Sequence, residues 1–206
     1  MNAQAQAQER AARADARLHT AHELMRDLDL IQRWSAYGEV TVVGSVGIEL
    51  VVAPDIDLEI RSEEPRVADG FAVMSVLAEL PQVRRITYLD ARDRHEQGQY
   101  WKLEYETPDD MWTVDMWVFG PEALGGGPLT AALQQLLTPA SRDTILAIKE
   151  EAATRGERAY GYWLYQAVLD GGATSYDEYR DWLGDRNVYE RTGWLTDPSS
   201  TSPRTK

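Results

Sequence analysis

The chain has 206 residues and a formal net charge of −13. It contains no cysteine, which excludes disulfides, thiolate metal sites and a cysteine nucleophile. An acidic chain of this size repels phosphate backbones at long range, which argues against a DNA or RNA template. No apolar run is long enough to span a bilayer, so no membrane association is expected.

The length suits one sizeable domain, or one domain with a helical extension. The N-terminal Met-Asn-Ala-Gln-Ala-Gln lacks the basic-then-apolar pattern of a secretory signal, so the cytoplasm is the expected location. The first dozen residues are rich in Ala, Gln and Arg, good helix formers with little to pack. Leu18, Ala21, Met25 and Leu28 recur at helical spacing, which predicts a helix from about Ala14 to near Trp34. Tyr37-Gly38-Glu39 reads as a turn and Val40 to Val43 as the first strand, which ends at Gly44-Ser45. The spacer from Val46 to Pro54 is mostly apolar, and Asp55-Ile56-Asp57-Leu58-Glu59-Ile60 follows as a second strand.

Side chains alternate along a strand, so Asp55 and Asp57 project to one side, about 7 Å apart along the backbone. Ile56, Leu58 and Ile60 then face a core. Two acids on one face suit a pair of Mg²⁺ ions, which lie roughly 3.5–4 Å apart in two-metal phosphoryl-transfer sites. Gly44, lacking a Cβ, lets the backbone approach a phosphate closely, and Ser45 offers it a hydroxyl and an N–H. Each part also has a plainer reading, as a half-exposed strand and an ordinary turn.

Ser62-Glu63-Glu64-Pro65 reads as a helix start, with Val67, Phe71, Met74, Leu77 and Ala78 on the apolar face and Pro81 as the stop. Val83 to Leu89 reads as a strand, Asp90 to Gly98 as a loop and Tyr100 to Tyr105 as a strand. A turn at Pro108-Asp109-Asp110 leads into the aromatic-rich strand Trp112 to Phe119, forming a hairpin. Thr113, Asp115 and Trp117 share one face of that strand; Lys102 and Glu104 share a face of its partner. Lys102 is either a solvated lysine or a cation that would stabilise a triphosphate. Gly125-Gly126-Gly127-Pro128 reads as a linker. Three helices follow: one capped by Thr138 with Pro139 in its first turn, one over Arg158 to Leu169, and one opened by Ser175 with Glu178 completing a capping box. In the second, Tyr160, Tyr162, Trp163 and Tyr165 read as core rings on one face and as a pocket lining for a small polar molecule on the other. The Ser-, Thr- and Pro-rich tail from Thr196 reads as disordered.

These elements imply an α+β fold, a small mixed sheet backed by helices with an α-helical C-terminal subdomain. The expected organisation is a helical segment over 1–37, a core over 38–124, the helical subdomain over 125–195 and the tail over 196–206.

Val42-Val43-Gly44-Ser45 followed by Asp55-Ile56-Asp57-Leu58, with Asp115 on a later strand, resembles the DNA polymerase beta-like nucleotidyltransferase superfamily. The resemblance covers Val40 to Phe119, and its signature is an apolar residue, Gly-Ser, a spacer, then Asp-apolar-Asp-apolar, with a third acid downstream. The apolar spacer is a departure; the phosphate-binding helix after Gly-Ser is expected to be shortened or replaced by extended chain. Leu137 to Glu150, with the Asp115 segment, is also similar to uncharacterised bacterial nucleotidyltransferase-domain proteins. The resemblance implies metal-dependent transfer of a nucleoside monophosphate from an NTP, with ATP expected, to a hydroxyl or amine of a small-molecule acceptor, releasing pyrophosphate. Asp55, Asp57 and Asp115 would be the catalytic metal ligands, for two Mg²⁺ ions or Mn²⁺ in their place. Gly44, Ser45 and Lys102 would bind the nucleotide. Two rivals come from other classes. One is a non-catalytic nucleotide-binding module of the same fold, regulatory or antitoxin-like. The other is a metal-free hydrolase, which two acids on the same strand face serve poorly, because glycosidase acids flank the scissile bond from opposite sides.

Overall fold

The computed structural model describes residues 2–190 and 192–196. Contacts divide the chain into two units, one formed by Ala16–Gly127 and one by the segments up to Asp15 and from Pro128. The first is the sheet unit. Its strands are β1 (Glu39–Val43), β2 (Asp55–Arg61), β3 (Val83–Ala91), β4 (Gly98–Glu106) and β5 (Met111–Phe119). They form one mixed sheet in the order β1-β2-β5-β4-β3, in which the β2–β5 pair is parallel and the other pairs antiparallel. This is the α+β architecture expected from the element pattern, and the expected β4–β5 hairpin closes at Glu106 and Met111.

The two faces of the sheet differ as the alternation in β2 requires. Ile56, Leu58 and Ile60 join Trp101, Leu103, Trp112, Val114 and Met116 in a core, all of them 0–1% exposed. Helix α1 (Ala3–Asp27) lays Ala21, Leu24 and Met25 on this core. The single helix expected from Ala14 to near Trp34 is instead two. Asp29 takes a left-handed conformation (φ 51°), and α2 (Leu30–Ser35) turns Leu30 and Trp34 inward. The Trp34 indole N–H donates to Met116 Sδ at 3.2 Å, which anchors the redirected helix.

The helix expected to open at Ser62–Pro65 begins later, as α4 (Val67–Ala78). The Ser62 amide donates to the Phe119 carbonyl at 3.0 Å, so the sheet still claims the chain there. Its buried face is Gly70, Val73, Met74 and Leu77, and Phe71 is 52% exposed. A Cβ at Gly70 would collide with the Trp101 indole, so the bulk of that indole decides which face of α4 turns inward. The stretch read as a loop from Asp90 to Gly98 is shorter, because β3 runs on to Ala91 before the hairpin to β4.

The second unit is helical: α5 (Gly127–Leu136), α6 (Pro139–Thr154), α7 (Gly161–Leu169) and α8 (Tyr176–Leu183). Thr138 caps α6 in a reciprocal capping box with Ser141, and the Ser175 hydroxyl accepts from the Glu178 amide at the start of α8. The Ala- and Arg-rich N-terminal half of α1 has a partner here. Arg10 holds Asp143 and Arg13 holds Glu150 through two hydrogen bonds each, 2.7–2.9 Å long. Trp163, Leu164, Tyr165 and Ala167 of α7 are buried where α6, α7 and α8 pack together. Tyr162 donates its hydroxyl to the Thr192 carbonyl at 2.5 Å, and the Trp163 indole N–H donates to the Val188 carbonyl at 3.3 Å. These rings serve the packing of the helical unit itself. The tail beyond Thr196 lies outside the described residues.

Candidate active site

The polar face of the sheet carries the candidate site. Strand pairing places Val43, Asp57, Asp115, Lys102 and Thr87 in one row across all five strands, with Asp57 directly opposite Asp115 in the parallel β2–β5 pair. Asp55 stands one pleat away, opposite Thr113. Each of the three acids offers a carboxylate oxygen within 4.8 Å of the others. Among the described residues this is the single group of three or more acids or histidines close enough to share a metal ion. Two acids that are neighbours along β2 and one that is far downstream thus converge because a parallel register aligns them.

The loop that brings Gly44 to this cluster explains the glycine. β1 ends at Val43, and Gly44–Gly47 forms a single helical turn, α3. Gly44 has φ +62°, and a Cβ there would run into the Asp57 carboxylate. The expected shortening of the segment after Gly-Ser is what the chain does. The spacer is apolar because Val46, Ile48, Leu50 and Val51 are buried, at 0–3% exposure. Ser45 is half-buried beside Gly44.

Two hydroxyls and an ammonium surround the acids. Thr113 donates its hydroxyl to Asp55 Oδ1 at 2.5 Å, and Tyr100 donates its hydroxyl to Asp115 Oδ1 at 2.8 Å. Burial, followed by the negative charge of Asp115, holds the Tyr100 phenol well above its ordinary pKa, so it keeps its proton and acts as a donor. Lys102 Nζ lies 3.7 Å from Asp115 Oδ1, its register partner on β5. Glu104 shares that face but turns to Arg85, at 3.8 Å. Sequence reasoning named neither Tyr100 nor Thr113 as site residues. Thr113 was placed on the same strand face as Asp115, but a pairing register was needed to set it against Asp55.

Glycines 125 to 127 do more than link. Glu59, two residues beyond Asp57 on the same face, is 4% exposed. It accepts from Arg61 Nε at 2.7 Å and from the Gly127 amide at 3.0 Å. A Cβ at Gly125 would strike its carboxylate, so this loop closes around a buried charge. An open groove of about 630 Å³ at the other end of β2 is lined by Tyr37, Gly38, Arg61, Ser62 and Arg66. None of the three acids lines it, and the chemistry of the acid cluster outweighs the size of the groove.

No protein-family model and no curated protein sequence matches the chain. Solved structures do. The non-canonical poly(A) polymerase complex GLD-2–GLD-3 is 17% identical, with a TM-score of 0.57 over 96% of this chain and 72% of that one. The GLD-2/RNP-8 complex is 17% identical, with a TM-score of 0.54 over 80% and 58%. The Cid1 poly(U) polymerase bound to Mg and 3′-dATP is 18% identical, with a TM-score of 0.52 over 75% and 48%. The chain has the fold of these polymerases. It spans less than two thirds of the GLD-2/RNP-8 and Cid1 chains.

Within this fold, the acid cluster fits a divalent cation by its own chemistry. Its donors are all carboxylate oxygens, the ligands that hard cations such as Mg²⁺ take. Lys102 pairs with the cluster through Asp115. No helix among the described residues is long and apolar enough to cross a membrane.

Proposed function

We propose that the chain is a metal-dependent nucleotidyltransferase that moves a nucleoside monophosphate from an NTP, ATP in the first instance, to a hydroxyl or amine of a small-molecule acceptor and releases pyrophosphate. The observation that carries this reading is the convergence of Asp55, Asp57 and Asp115 within 4.8 Å on one face of the sheet, beside the turn at Gly44-Ser45. Asp55, Asp57 and Asp115 would hold two Mg²⁺ ions, which supply charge neutralisation for the triphosphate and activation of the acceptor. Gly44 and Ser45 would receive the β- and γ-phosphates, and Lys102 would face the developing negative charge. Asp115 would serve the acceptor side, receiving its proton as the new bond to phosphorus forms. Catalysis would then be positioning and electrostatics, with no covalent enzyme intermediate.

Two of the structures of similar fold bear the names poly(A) and poly(U) polymerase. The net charge of −13 favours a small acceptor here, because nucleic-acid affinity depends on Lys and Arg neutralising phosphates. The test is Mg²⁺-dependent ATP binding by calorimetry, followed by mass spectrometry of a metabolite pool incubated with each NTP. Asp55→Asn with Asp57→Asn should abolish the binding with an unchanged circular dichroism spectrum. ATP affinity equal to wild type in the double variant would remove the assignment. Metal-dependent binding with no transferred product for any NTP would leave the nucleotide-binding module as the reading.

A further inference from the structure

We infer that Tyr100 and Thr113 are positioning residues, a pair of hydroxyl donors that fix Asp115 and Asp55 in the arrangement a divalent cation requires. The inference rests on the metal-dependent reading of the acid cluster. Three carboxylates within 4.8 Å repel one another, and a flexible site would relax by turning them apart. Two of them are instead pinned by one oxygen each. Thr113 Oγ1 donates to Asp55 Oδ1 at 2.5 Å, and Tyr100 Oη donates to Asp115 Oδ1 at 2.8 Å. The direction of each bond follows from chemistry, since an ionised carboxylate can only accept.

Both donors stand on strands, the rigid part of the sheet unit, and neither depends on a loop. Thr113 faces Asp55 directly across the parallel pair. Tyr100 is opposite Trp117 and reaches Asp115 diagonally, a span that an aromatic side chain covers. Its ring packs on Trp117 at 4.9 Å, and Trp117 stacks on Phe119 at 5.6 Å and 2°, so the phenol has a fixed seat. Asp57 is seated differently, against the bare Cα of Gly44. Each acid of the cluster therefore has its own orienting device.

The experiment measures Mn²⁺ binding to the full chain without nucleotide, by the paramagnetic resonance signal of the free ion, so that the readout does not need turnover. Tyr100→Phe keeps the ring and Thr113→Val keeps the shape; each removes one donor. Each should weaken Mn²⁺ binding 10- to 100-fold, the usual effect of deleting an outer-sphere partner of a metal ligand, and Thr113→Ser should restore wild-type affinity. In steady-state assays Tyr100→Phe should lower kcat with little change in the KM for MgATP, and Thr113→Val should raise that KM. Near-wild-type Mn²⁺ affinity in either variant overturns the role of that hydroxyl while the metal reading stands. Wild-type protein whose Mn²⁺ binding does not depend on Asp55 and Asp57 overturns the metal reading, and the inference with it.

Discussion

Gly44 is required at its position twice over, by its own backbone and by its neighbour. Its φ of +62° lies where an L side chain costs about 1–2 kcal/mol, and a Cβ there would meet the Asp57 carboxylate. Gly44→Ala should therefore lower stability by about 2 kcal/mol and disturb Asp57 as well. Urea denaturation reports the first effect and Mn²⁺ titration the second; intact metal affinity would mean that Asp57 tolerates displacement. Asp115 invites a complementary measurement. It stands opposite Asp57 across β2 and β5, accepts a hydrogen bond from Tyr100 and forms an ion pair with Lys102. If it serves the acceptor side, Asp115→Asn should lower turnover by orders of magnitude and largely spare MgATP binding. Near-normal turnover would remove Asp115 from the metal set.

At the scale of elements, the helical unit relies on caps and on buried phenols. Thr138 and Ser141 exchange hydrogen bonds at the start of α6, so Thr138→Ala should cost about 1 kcal/mol in urea unfolding. A change within error would mean that solvent replaces the cap. Tyr179 of α8 is fully buried, and the Tyr160 amide donates to its oxygen at 3.1 Å. Burial pushes its phenol above the ordinary 10.0, a shift only partly opposed by that hydrogen bond. The folded form thus holds its proton to higher pH than the unfolded chain. The stability this provides is complete below pH 10.0 and is lost as pH rises through the raised native value. Tyr88 and Tyr176 shift the same way, so alkaline destabilisation should persist but weaken in Tyr179→Phe. Urea midpoints at about pH 9 and pH 11 measure this, and an identical pH slope in the variant would mean that Tyr179 contributes nothing.

For the whole molecule, charge is the property that separates possible acceptors. Lys and Arg number 21 against 34 Asp and Glu. At physiological ionic strength a labelled oligoadenylate should bind more weakly than about 100 μM, the weak limit of non-specific association, while MgATP binds in the same buffer. Micromolar affinity for the oligonucleotide, falling steeply with added salt, would shift the acceptor from a small molecule to a polynucleotide.

The alternation of acids and aliphatic residues in Asp55–Ile60 announced both the strand and its two faces, because pleating alone assigns odd and even positions to opposite sides. The caps at Thr138 and Ser175 were equally local, since each depends on a hydroxyl and an amide three residues on. The aromatic run containing Asp115 was legible as a strand for the same reason. Neighbours distant in sequence left no such trace. The break at Asp29 answers to where Trp34 finds Met116, and the late start of α4 to the bond from Ser62 to Phe119. Glycines 125 to 127 read as a linker until the burial of Glu59 gave them a carboxylate to enclose. Tyr100 and Thr113 became site residues only through the register of β2, β4 and β5. Local sequence dictates which face of a strand a side chain takes, because that follows from backbone geometry. Which side chains meet across strands depends on register, which the packing of the whole sheet decides.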